Sequence, residues 1–469
     1  MKHITQLSAH SPTIIPRQDH HISRKQVSPN ALRALYRLKD NGYIAYLVGG
    51  CVRDLLLGRE PKDFDVATSA TPNEVKRIFR NCRLIGRRFR LAHLHFGDEI
   101  IEVATFRSQA APEQETELVA DQESPHEETV AEGRHRYRHS RHPKHLKSDE
   151  GMILRDNVFG TPEEDALRRD FTVNALAYNI ADFSIIDFAE GLADLNAGII
   201  RTIGDPVLRF QEDPVRMLRA VRFAAQLGFT IEDATWKALT AAAATISRAS
   251  APRLYEEMLK LFLSGEGATC YALLRRTGLF AALFPRFSAW LDSEENGHLH
   301  TGFGRMLDHV DERSLQGAKV SPPLLLALLF GEYIDAKASR FRRQGAPWQQ
   351  SVDAAVAEFM GETCPIVMIT NRGGQSLRDI LSQQHRLNKV PGRRPEAFIA
   401  RPDFADIVEY CRVTRGNDAD VVKRLRWWTD LAHGMPSAMP PAGPSNDEAP
   451  RNKRRRRQRR KPKTGGAQT

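Results

Sequence analysis

The sequence lacks the features that direct a protein into or across a membrane. No stretch approaches the ~18 uninterrupted apolar residues of a membrane-spanning helix. The N-terminal segment has no charged region followed by the apolar run of a secretory signal. The 5 cysteines are scattered and form neither a CxxC pair nor a disulfide spacing, which fits a reducing compartment. The sequence therefore predicts a cytoplasmic protein that makes no membrane contact.

The sequence has little excess charge outside one short segment. Lys and Arg total 68 against 58 Asp and Glu, for a net charge of +10. The segment 451–463, RNKRRRRQRRKPK, contains 10 basic and no acidic residues, and the rest of the chain is formally neutral. Polycations bind nucleic-acid phosphates through counterion release, without sequence preference. This distribution predicts a neutral body with a cationic tail that binds nucleic acid. The alternative is that the tail is a solvated charged segment without a binding role.

The order of hydrophobic patterns predicts a mixed α/β domain followed by helical domains. Short apolar strands are predicted at 44–48, 64–68 and 99–106, with helices before and between them. From about residue 205 the strand signals disappear and helical patterns remain. At roughly 150 residues per domain, the chain is long enough for about three units. The predicted fold class is a mixed α/β head with a small β-sheet, then all-α neck and body domains and a disordered basic tail.

These patterns divide the chain into five segments. Within the head, one insertion has an acidic first half and a second half rich in Arg and His, without apolar periodicity, so we expect it to be mobile. The predicted boundaries are 1–25 for a flexible leader, 26–204 for the head with the insertion at 108–150, 205–265 for the neck, 266–434 for the body and 435–469 for the disordered Arg-rich tail.

The densest chemical signal is LVGGCVRDLLLGREPKDFDVAT, residues 47–68. Gly49 and Gly50 join a strand to a helix, where glycine lets backbone N–H groups approach a phosphate closely. Asp63 and Asp65 are two residues apart on a predicted strand and project from one face. Two adjacent carboxylates repel each other unless a cation lies between them, and Mg²⁺ prefers such oxygen ligands. The segment therefore predicts a site for a phosphate and a divalent metal.

Each of these signals is weak alone. A lone Gly-Gly pair is most often a turn, and a lone DxD is most often a solvated pair or a helix cap. Their combination in one strand–turn–helix–strand unit, with Arg53 and Asp54 between them, favours a functional site. The chain contains no GxxxxGK[ST] motif, which argues against a P-loop nucleotide hydrolase.

Three motifs in order resemble those of a known enzyme family. The segment at 47–68, RRDFTVNAL at 168–176 and EDPVRMLRAVRFAA at 212–225 are similar to the class II nucleotidyltransferases of the DNA polymerase β superfamily. That group comprises bacterial poly(A) polymerases and tRNA CCA-adding enzymes. The resemblance implies a nucleotidyltransferase head, a neck that contacts nucleobase and RNA, and an RNA-binding body. It also implies metal-dependent transfer of a nucleoside monophosphate to an RNA 3′-hydroxyl, with release of pyrophosphate.

The resemblance also implies roles for individual residues. It implies Mg²⁺ or Mn²⁺ at Asp63 and Asp65, and a third active-site carboxylate at Asp170. A rival third carboxylate is Glu102 in the strand EIIEVATF, whose other interpretation is a solvent-facing strand residue. The remaining implied positions are Gly49, Gly50, Arg53 and Arg169 for the nucleotide, and Asp213, Arg216 and Arg219, on one arc of a helix, for its base. Asp213 is also a good helix N-cap in its own right.

Weaker features favour polyadenylation over repair of tRNA ends. LIGRRFRLAHL at 84–94 resembles an element that marks bacterial poly(A) polymerases, and an Arg-rich tail suits an enzyme that extends many RNA ends. We therefore predict transfer of AMP from ATP to single-stranded RNA 3′ ends, without a template and largely without sequence preference. The alternatives are a CCA-adding tRNA nucleotidyltransferase and a non-catalytic RNA-binding protein on the same scaffold. The sequence does not identify RNA-decay protein partners.

Two further motifs have competing interpretations. Trp427 and Trp428 could stack on RNA bases, but adjacent aromatics on a helix face different ways, so we expect at least one of them in the core. DHVDE at 308–312 resembles part of a histidine–aspartate hydrolase signature. Because its companion motifs are missing from the sequence, we interpret it as helix surface.

Overall fold

A computed structural model of the chain describes residues 11–86, 90–108, 159–295 and 302–435, with short strands at 145–147, 153–156 and 298–299. The chain divides into two compact units, the first ending at Gln375 and the second beginning at Ser376. The predicted boundaries at 204/205 and 265/266 both fall inside the first unit. Most of the predicted mobile insertion, and the tail from 436 onward, lie outside the described residues. None of the described helices is long and apolar enough to cross a membrane.

The first unit begins with a mixed β-sheet. The strands of this part of the chain are β1 (Thr13–Ile15), β2 (Ala45–Val48), β3 (Asp65–Thr68), β4 (Cys82–Ile85), β5 (Leu91–Phe96), β6 (Glu99–Thr105), β7 (His145–Lys147), β8 (Ile153–Asp156), β9 (Leu176–Asn179) and β10 (Ile185–Asp187). Eight of them form one sheet in the order β1-β10-β9-β2-β3-β6-β5-β4, and β7 pairs with β8 separately. Within the eight-stranded sheet, β3 and β6 run parallel and the other neighbours run antiparallel. The mixed α/β head predicted from the sequence is confirmed.

Among the described residues, the α-helices that accompany this sheet are α1 (Pro29–Asp40), α2 (Gly50–Leu56), α3 (Pro72–Ile78), α4 (Pro162–Leu167) and α5 (Gly191–Ala197). Ser28 caps the start of α1, because its Oγ accepts the N–H groups of Asn30 and Ala31. Burial of Leu35 and Leu38 then fixes the inner face of the helix.

The prediction of a flexible leader is wrong for its described part, residues 11–25. Residues 13–15 form the edge strand β1, in which Ile14 pairs with Ile186 of β10. Further along, Ser23 and Gln26 form a reciprocal capping box, and Ile22 is fully buried. A three-residue strand is too short to show an alternating pattern, and its stability comes from a partner strand far along the chain.

Helices dominate the rest of the first unit. They are α6 (Pro206–Glu212), α7 (Val215–Leu227), α8 (Asp233–Ala242), α9 (Ala251–Phe262), α10 (Gly267–Arg276), α11 (Leu279–Leu283), α12 (Pro285–Leu291), α13 (Gly302–Leu315), α14 (Pro322–Arg343) and α15 (Trp348–Thr363). The next helix, α16 (Asn371–Ser382), begins in the first unit and ends in the second. Short pairs join β11 (Ile199–Ile200) to β12 (Thr230–Ile231) and β13 (Glu294–Glu295) to β14 (His298–Leu299). The core is aromatic: Phe287 and Phe330 have ring centroids 4.8 Å apart. Asp311 of the DHVDE motif accepts the N–H groups of Gly267 and Ala268 at 2.7 and 2.9 Å, so it caps α10.

The second unit, in its described residues, is also helical. Its helices are α17 (Gln384–Leu387), α18 (Pro395–Ile399), α19 (Phe404–Arg415) and α20 (Ala419–Ala432). Trp428 is 0 % exposed, packs edge-on against Phe398 and donates its indole N–H to the Leu387 carbonyl. Trp427 is 8 % exposed. Both tryptophans therefore belong to the core of this unit, and the interpretation of the pair as an RNA-stacking surface is wrong.

Candidate active site

A glycine turn connects β2 to α2. Gly49 has a φ of 77°, and a Cβ at this position would lie 2.9 Å from Arg169 Nη1. Its positive φ favours glycine, whereas a Cβ would only have to displace the flexible end of the Arg169 side chain. Gly50 begins α2 and is less constrained, because a Cβ there would lie at an ordinary 3.6 Å from Arg53 Nη2. The predicted strand–turn–helix arrangement is thus present.

Three carboxylates lie near the start of β3. Asp65 is the first residue of β3 and is the register partner of Glu102 on the parallel strand β6, so the two side chains project from the same face. Asp63 lies two residues before Asp65, and its charge also acts on Asp65. The structure therefore brings Glu102, the rival third carboxylate, to the Asp63–Asp65 pair. We call these three residues the carboxylate cluster.

The negative charges of the carboxylate cluster repel one another. Although Asp65 as a residue is exposed to solvent, its carboxylate is largely surrounded by protein atoms. This burial, together with the negative charges of Glu102 and Asp63, raises the pKa of Asp65 to about 6, against the opposing charge of Arg169. A cation placed among these groups would relieve the repulsion.

The cluster fits a divalent cation in its chemistry. Carboxylate oxygens are the hard ligands that Mg²⁺ prefers. The raised pKa of Asp65 comes first from burial and then from the negative charges of Glu102 and Asp63, which a cation would offset. Among the described residues, no group of three or more His, Cys, Asp or Glu side chains is already arranged around a metal position. Substrate phosphates and water would therefore complete any coordination.

Two predicted nucleotide-binding arginines meet at Asn174. Arg53 is only 7 % exposed, and its Nη1 donates to Asn174 Oδ1 at 2.7 Å. Its Nε and Nη2 both donate to Asp54 Oδ1. Arg169 Nη1 donates to the Asn174 carbonyl at 3.4 Å, and its Nη2 contacts Asp165 Oδ2 at 3.2 Å. Arg53 is therefore held within the protein, whereas Arg169 remains partly exposed and close enough to act on the carboxylate cluster.

Asp170 lies in a different environment from the cluster. It is 9 % exposed; its Oδ1 accepts the Phe171 N–H and the Asn174 amide, and its Oδ2 accepts Arg219 Nε at 2.6 Å. Burial alone would raise the pKa of Asp170, but the Arg219 charge and these hydrogen bonds hold it well below its ordinary value. The contacts of Asp170 are thus with Arg219, Asn174 and the Phe171 backbone.

The helix predicted to contact the base is α7. Its apolar face is buried as the periodicity predicts, with Met217, Leu218 and Val221 all at 0 % exposure. Arg216 and Arg219 lie on the opposite, partly exposed side. The amphipathic arrangement predicted for this helix is therefore present.

The three predicted base-contacting residues are each bound to a separate partner. Asp213 receives a two-pronged contact from Arg253 of α9, with Nη1–Oδ1 at 2.9 Å and Nη2–Oδ2 at 2.8 Å. Asp213 Oδ1 also accepts the Val215 N–H at 3.3 Å, but the N-cap position of α7 is Pro214, and Asp213 instead ends α6. Arg216 Nη1 contacts Glu212 Oε2 at 3.1 Å, and Arg219 is bound to the head carboxylate described above.

Sequence reasoning missed three residues that organise this region. Asn174 links the two arginines, Arg253 orients Asp213, and Phe223 packs beneath three guanidinium groups. The guanidinium carbons of Arg53, Arg219 and Arg222 lie 5.1, 5.1 and 4.3 Å from the Phe223 ring centroid. The spacing of Arg219 and Phe223 on a helix signals their contact. No local pattern signals the Asp213–Arg253 pair, whose members are 40 residues apart.

Comparison with known protein families gives three matches along the chain. Residues 45–201 match the model of the poly A polymerase head domain. Residues 228–291 match a probable RNA and SrmB-binding site of polymerase A. Residues 344–462 match the polymerase A arginine-rich C-terminus.

Individual relatives are similar to this chain over different lengths. Poly(A) polymerase I of Salmonella typhimurium is 40 % identical over 462 residues, which cover 97 % of this chain and 93 % of the relative. A CCA-adding enzyme of Lactobacillus gasseri is 34 % identical over 254 residues, covering 54 % of this chain and 55 % of that enzyme. Among solved structures, the Bacillus stearothermophilus CCA-adding enzyme in complex with CTP superposes with a TM-score of 0.53 at 25 % identity, covering 88 % of this chain and 90 % of that one.

The mixed sheet, the glycine turn and the carboxylate cluster define a nucleotidyltransferase, an enzyme that transfers a nucleoside monophosphate from a nucleoside triphosphate. Extended similarity along nearly the whole chain then specifies the group. The chain belongs to the bacterial poly(A) polymerase family.

Proposed function

We propose that this protein adds adenylate residues to RNA 3′ ends without a template, transferring AMP from ATP to the 3′-hydroxyl and releasing pyrophosphate. The observation that carries the proposal is the extent of the similarity. The poly(A) polymerase I relative matches 97 % of this chain, whereas the CCA-adding relative matches 54 %. Because both kinds of enzyme share the head, the remaining part of the chain favours polyadenylation.

In this proposal ATP binds between the glycine turn and α7. The turn at Gly49 and Gly50 leaves room for phosphate oxygens close to the backbone. Arg169 supplies a partly exposed positive charge beside them, and Arg53 acts through Asn174 to hold that arginine in place.

The base would meet Asp213, Arg216 and Arg219. A carboxylate accepts from the exocyclic amino group of adenine, and a guanidinium donates to the adjacent ring nitrogen. Cytosine presents a similar amino group and ring nitrogen. Selection of adenine therefore depends on how firmly the neighbours of these residues, such as Arg253, fix their positions.

For the third active-site carboxylate we propose Glu102 in place of Asp170. Glu102 shares a sheet face with Asp65 and raises its pKa through its charge. Asp170 is buried in contacts with Arg219 and Asn174. We propose that Asp170 instead holds the head loop against α7.

The chemistry is an in-line displacement at phosphorus. The RNA 3′-oxygen bonds to the α-phosphorus while the bond to the bridging oxygen breaks, and pyrophosphate leaves with the electron pair. Mg²⁺ or Mn²⁺, held by Asp63 and Asp65, supplies neutralising charge and activation of the attacking hydroxyl when bound. A carboxylate of the cluster accepts the hydroxyl proton. Positioning of the two substrates supplies much of the rate, and no covalent intermediate on the protein is needed.

The proposed acceptor is single-stranded RNA of largely any sequence, met in the cytoplasm. The decisive experiment offers the enzyme two substrates: a generic single-stranded RNA with ATP, and a tRNA lacking its 3′ end with CTP and ATP. Long A-tracts on the generic RNA support the proposal. Addition of C-C-A to the tRNA followed by arrest would show a CCA-adding enzyme instead. If no labelled ATP is incorporated into either RNA, the remaining hypothesis is a non-catalytic RNA-binding protein.

A further inference from the structure

A row of polar side chains crosses the sheet and ends at the carboxylate cluster. Register pairs Arg83 of β4 with His93 of β5, His93 with Glu102 of β6, and Glu102 with Asp65 of β3. Directly paired residues on neighbouring strands project from the same face. The row therefore places an imidazole next to Glu102, on the side away from Asp65.

The imidazole touches the carboxylate. His93 Nε2 lies 3.4 Å from Glu102 Oε1. The His93 side chain is 18 % exposed, whereas that of Glu102 is 50 % exposed. His93 is thus the more firmly packed member of the pair. The roles assigned above to the nucleotide, the metal and the base leave His93 unused.

We propose that His93 is a positioning residue for Glu102, an inference that rests on the proposed function. By donating Nε2–H to Oε1, the imidazole holds the carboxylate in one orientation and leaves Oε2 for the reacting groups. Glu102 is half exposed and would otherwise sample several rotamers, whose restriction costs free energy in each catalytic cycle. A residue that orients a metal-site carboxylate in this way typically contributes 10- to 100-fold in metal affinity or activity.

The test is a double-mutant cycle on the full chain, with His93→Val, Glu102→Gln and both changes together. If His93 acts through Glu102, His93→Val lowers kcat about 10- to 100-fold with little change in the KM for ATP. The double variant then matches Glu102→Gln alone. Losses that multiply in the double variant, or wild-type kcat in His93→Val, would overturn the inference.

A matched control lies on the same strand. His95 is two residues from His93 and shares its face, but its register partner is Ile100 rather than a carboxylate. Its Nε2 is buried and has no hydrogen-bond partner among the described residues. His95→Val should therefore retain wild-type kcat, and His93→Gln, which keeps an N–H donor, should recover much of the activity lost in His93→Val. Equal losses at both histidines would indicate a general effect on the sheet and contradict the inference.

A binding measurement separates this inference from the proposed function. Mn²⁺ binding is followed through the electron paramagnetic resonance signal of the free ion, without RNA or turnover. His93→Val should weaken Mn²⁺ binding in the wild-type background and have no further effect in the Glu102→Gln background. An enzyme that fails to extend RNA yet shows this coupling would refute polyadenylation and support the role of His93. An enzyme that polyadenylates RNA without the coupling would support the proposed function and refute the role of His93.

Discussion

Arg219 Nε donates to Asp170 Oδ2 over 2.6 Å, and this contact ties the loop after α4 to α7. Arg219 also approaches Glu257 of α9 at 3.8 Å, so one guanidinium bridges two carboxylates. Asp170 Oδ1 also accepts the Phe171 N–H and the Asn174 amide. The contact therefore belongs to the architecture that holds the site together.

Asp170→Asn should reduce stability more than it reduces chemistry per folded molecule. Removal of the Asp170 charge leaves Arg219 with the more distant Glu257 as its remaining carboxylate, at a cost of about 1–3 kcal/mol in the free energy of unfolding. Urea denaturation measures this loss, and the rate is measured on the folded fraction. Asp63→Asn is the control, because it should abolish transfer and leave the unfolding free energy nearly unchanged. An Asp170→Asn variant that is fully stable yet inactive would restore Asp170 as the third catalytic carboxylate.

The same network predicts a dependence of stability on pH. Burial would raise the pKa of Glu257, but the charges of Arg222, Arg219 and Lys260 lower it below its ordinary value, as Arg219 does for Asp170. Because the unfolded chain binds these protons more readily, the stabilisation is complete above the unfolded carboxyl pKa of about 4 and is lost as the pH falls below it. Urea midpoints between neutral and acid pH should show this fall. Glu257→Gln should be less stable at neutral pH and have a flatter profile; a parallel profile would contradict the assignment.

The two glycines of the turn should respond differently to alanine. Gly49→Ala forces a side chain into a left-handed conformation at a cost of about 1–3 kcal/mol, and its Cβ would displace Arg169. We expect a higher KM for ATP together with a lower melting temperature. Gly50→Ala is the matched control, since its Cβ meets only ordinary contacts. Equal ATP kinetics in the two variants would show that the close approach at Gly49 has no bearing on the nucleotide.

Arg253 should influence which nucleotide is added. Its two contacts fix both oxygens of Asp213, and Arg253→Gln should lower kcat/KM for ATP by about 10- to 100-fold. The preference for ATP over CTP should fall at the same time, because a loosely held carboxylate accepts from either amino group. Arg253→Lys keeps the charge but not the two-pronged geometry, so its kcat/KM for ATP should lie between those of the wild type and Arg253→Gln. An unchanged ATP-to-CTP ratio in Arg253→Gln would mean that the pair is only a structural link.

Local geometry explains which parts of the site could be predicted from the sequence. Gly49 and the Asp63–Asp65 pair are defined by spacings of one or two residues, and a strand or a turn fixes such spacings by itself. The buried face of α7 follows from helical periodicity in the same way. The glycine turn and the buried face of α7 are present in the structure, whereas Asp63 lies before β3, which begins at Asp65.

The remaining features depend on how distant segments pair. Glu102 meets Asp65 only because β6 lies parallel to β3 in one particular register, and a shift of one residue would turn its side chain to the other face. Asp170 carries the same charge as Glu102, but it accepts a hydrogen bond from Arg219 because α7 packs against the loop after α4. Motif resemblance alone therefore favoured Asp170, whereas the strand register favours Glu102.

The cationic segment at 451–463 should increase RNA affinity without contributing to the chemical step. Truncation after Met435 removes its 10 basic residues, and each lost phosphate contact reduces the slope of log K against log salt by about 0.7 on single-stranded RNA. We therefore expect weaker RNA binding, a flatter salt dependence and an unchanged kcat at saturating RNA, measured by fluorescence anisotropy and by ATP incorporation. A second variant, with all 10 basic residues changed to Gln, keeps the length and should behave like the truncation, because charge is the operative property. A lower kcat at saturating RNA in both variants would show that the segment also takes part in placing the RNA end at the carboxylate cluster.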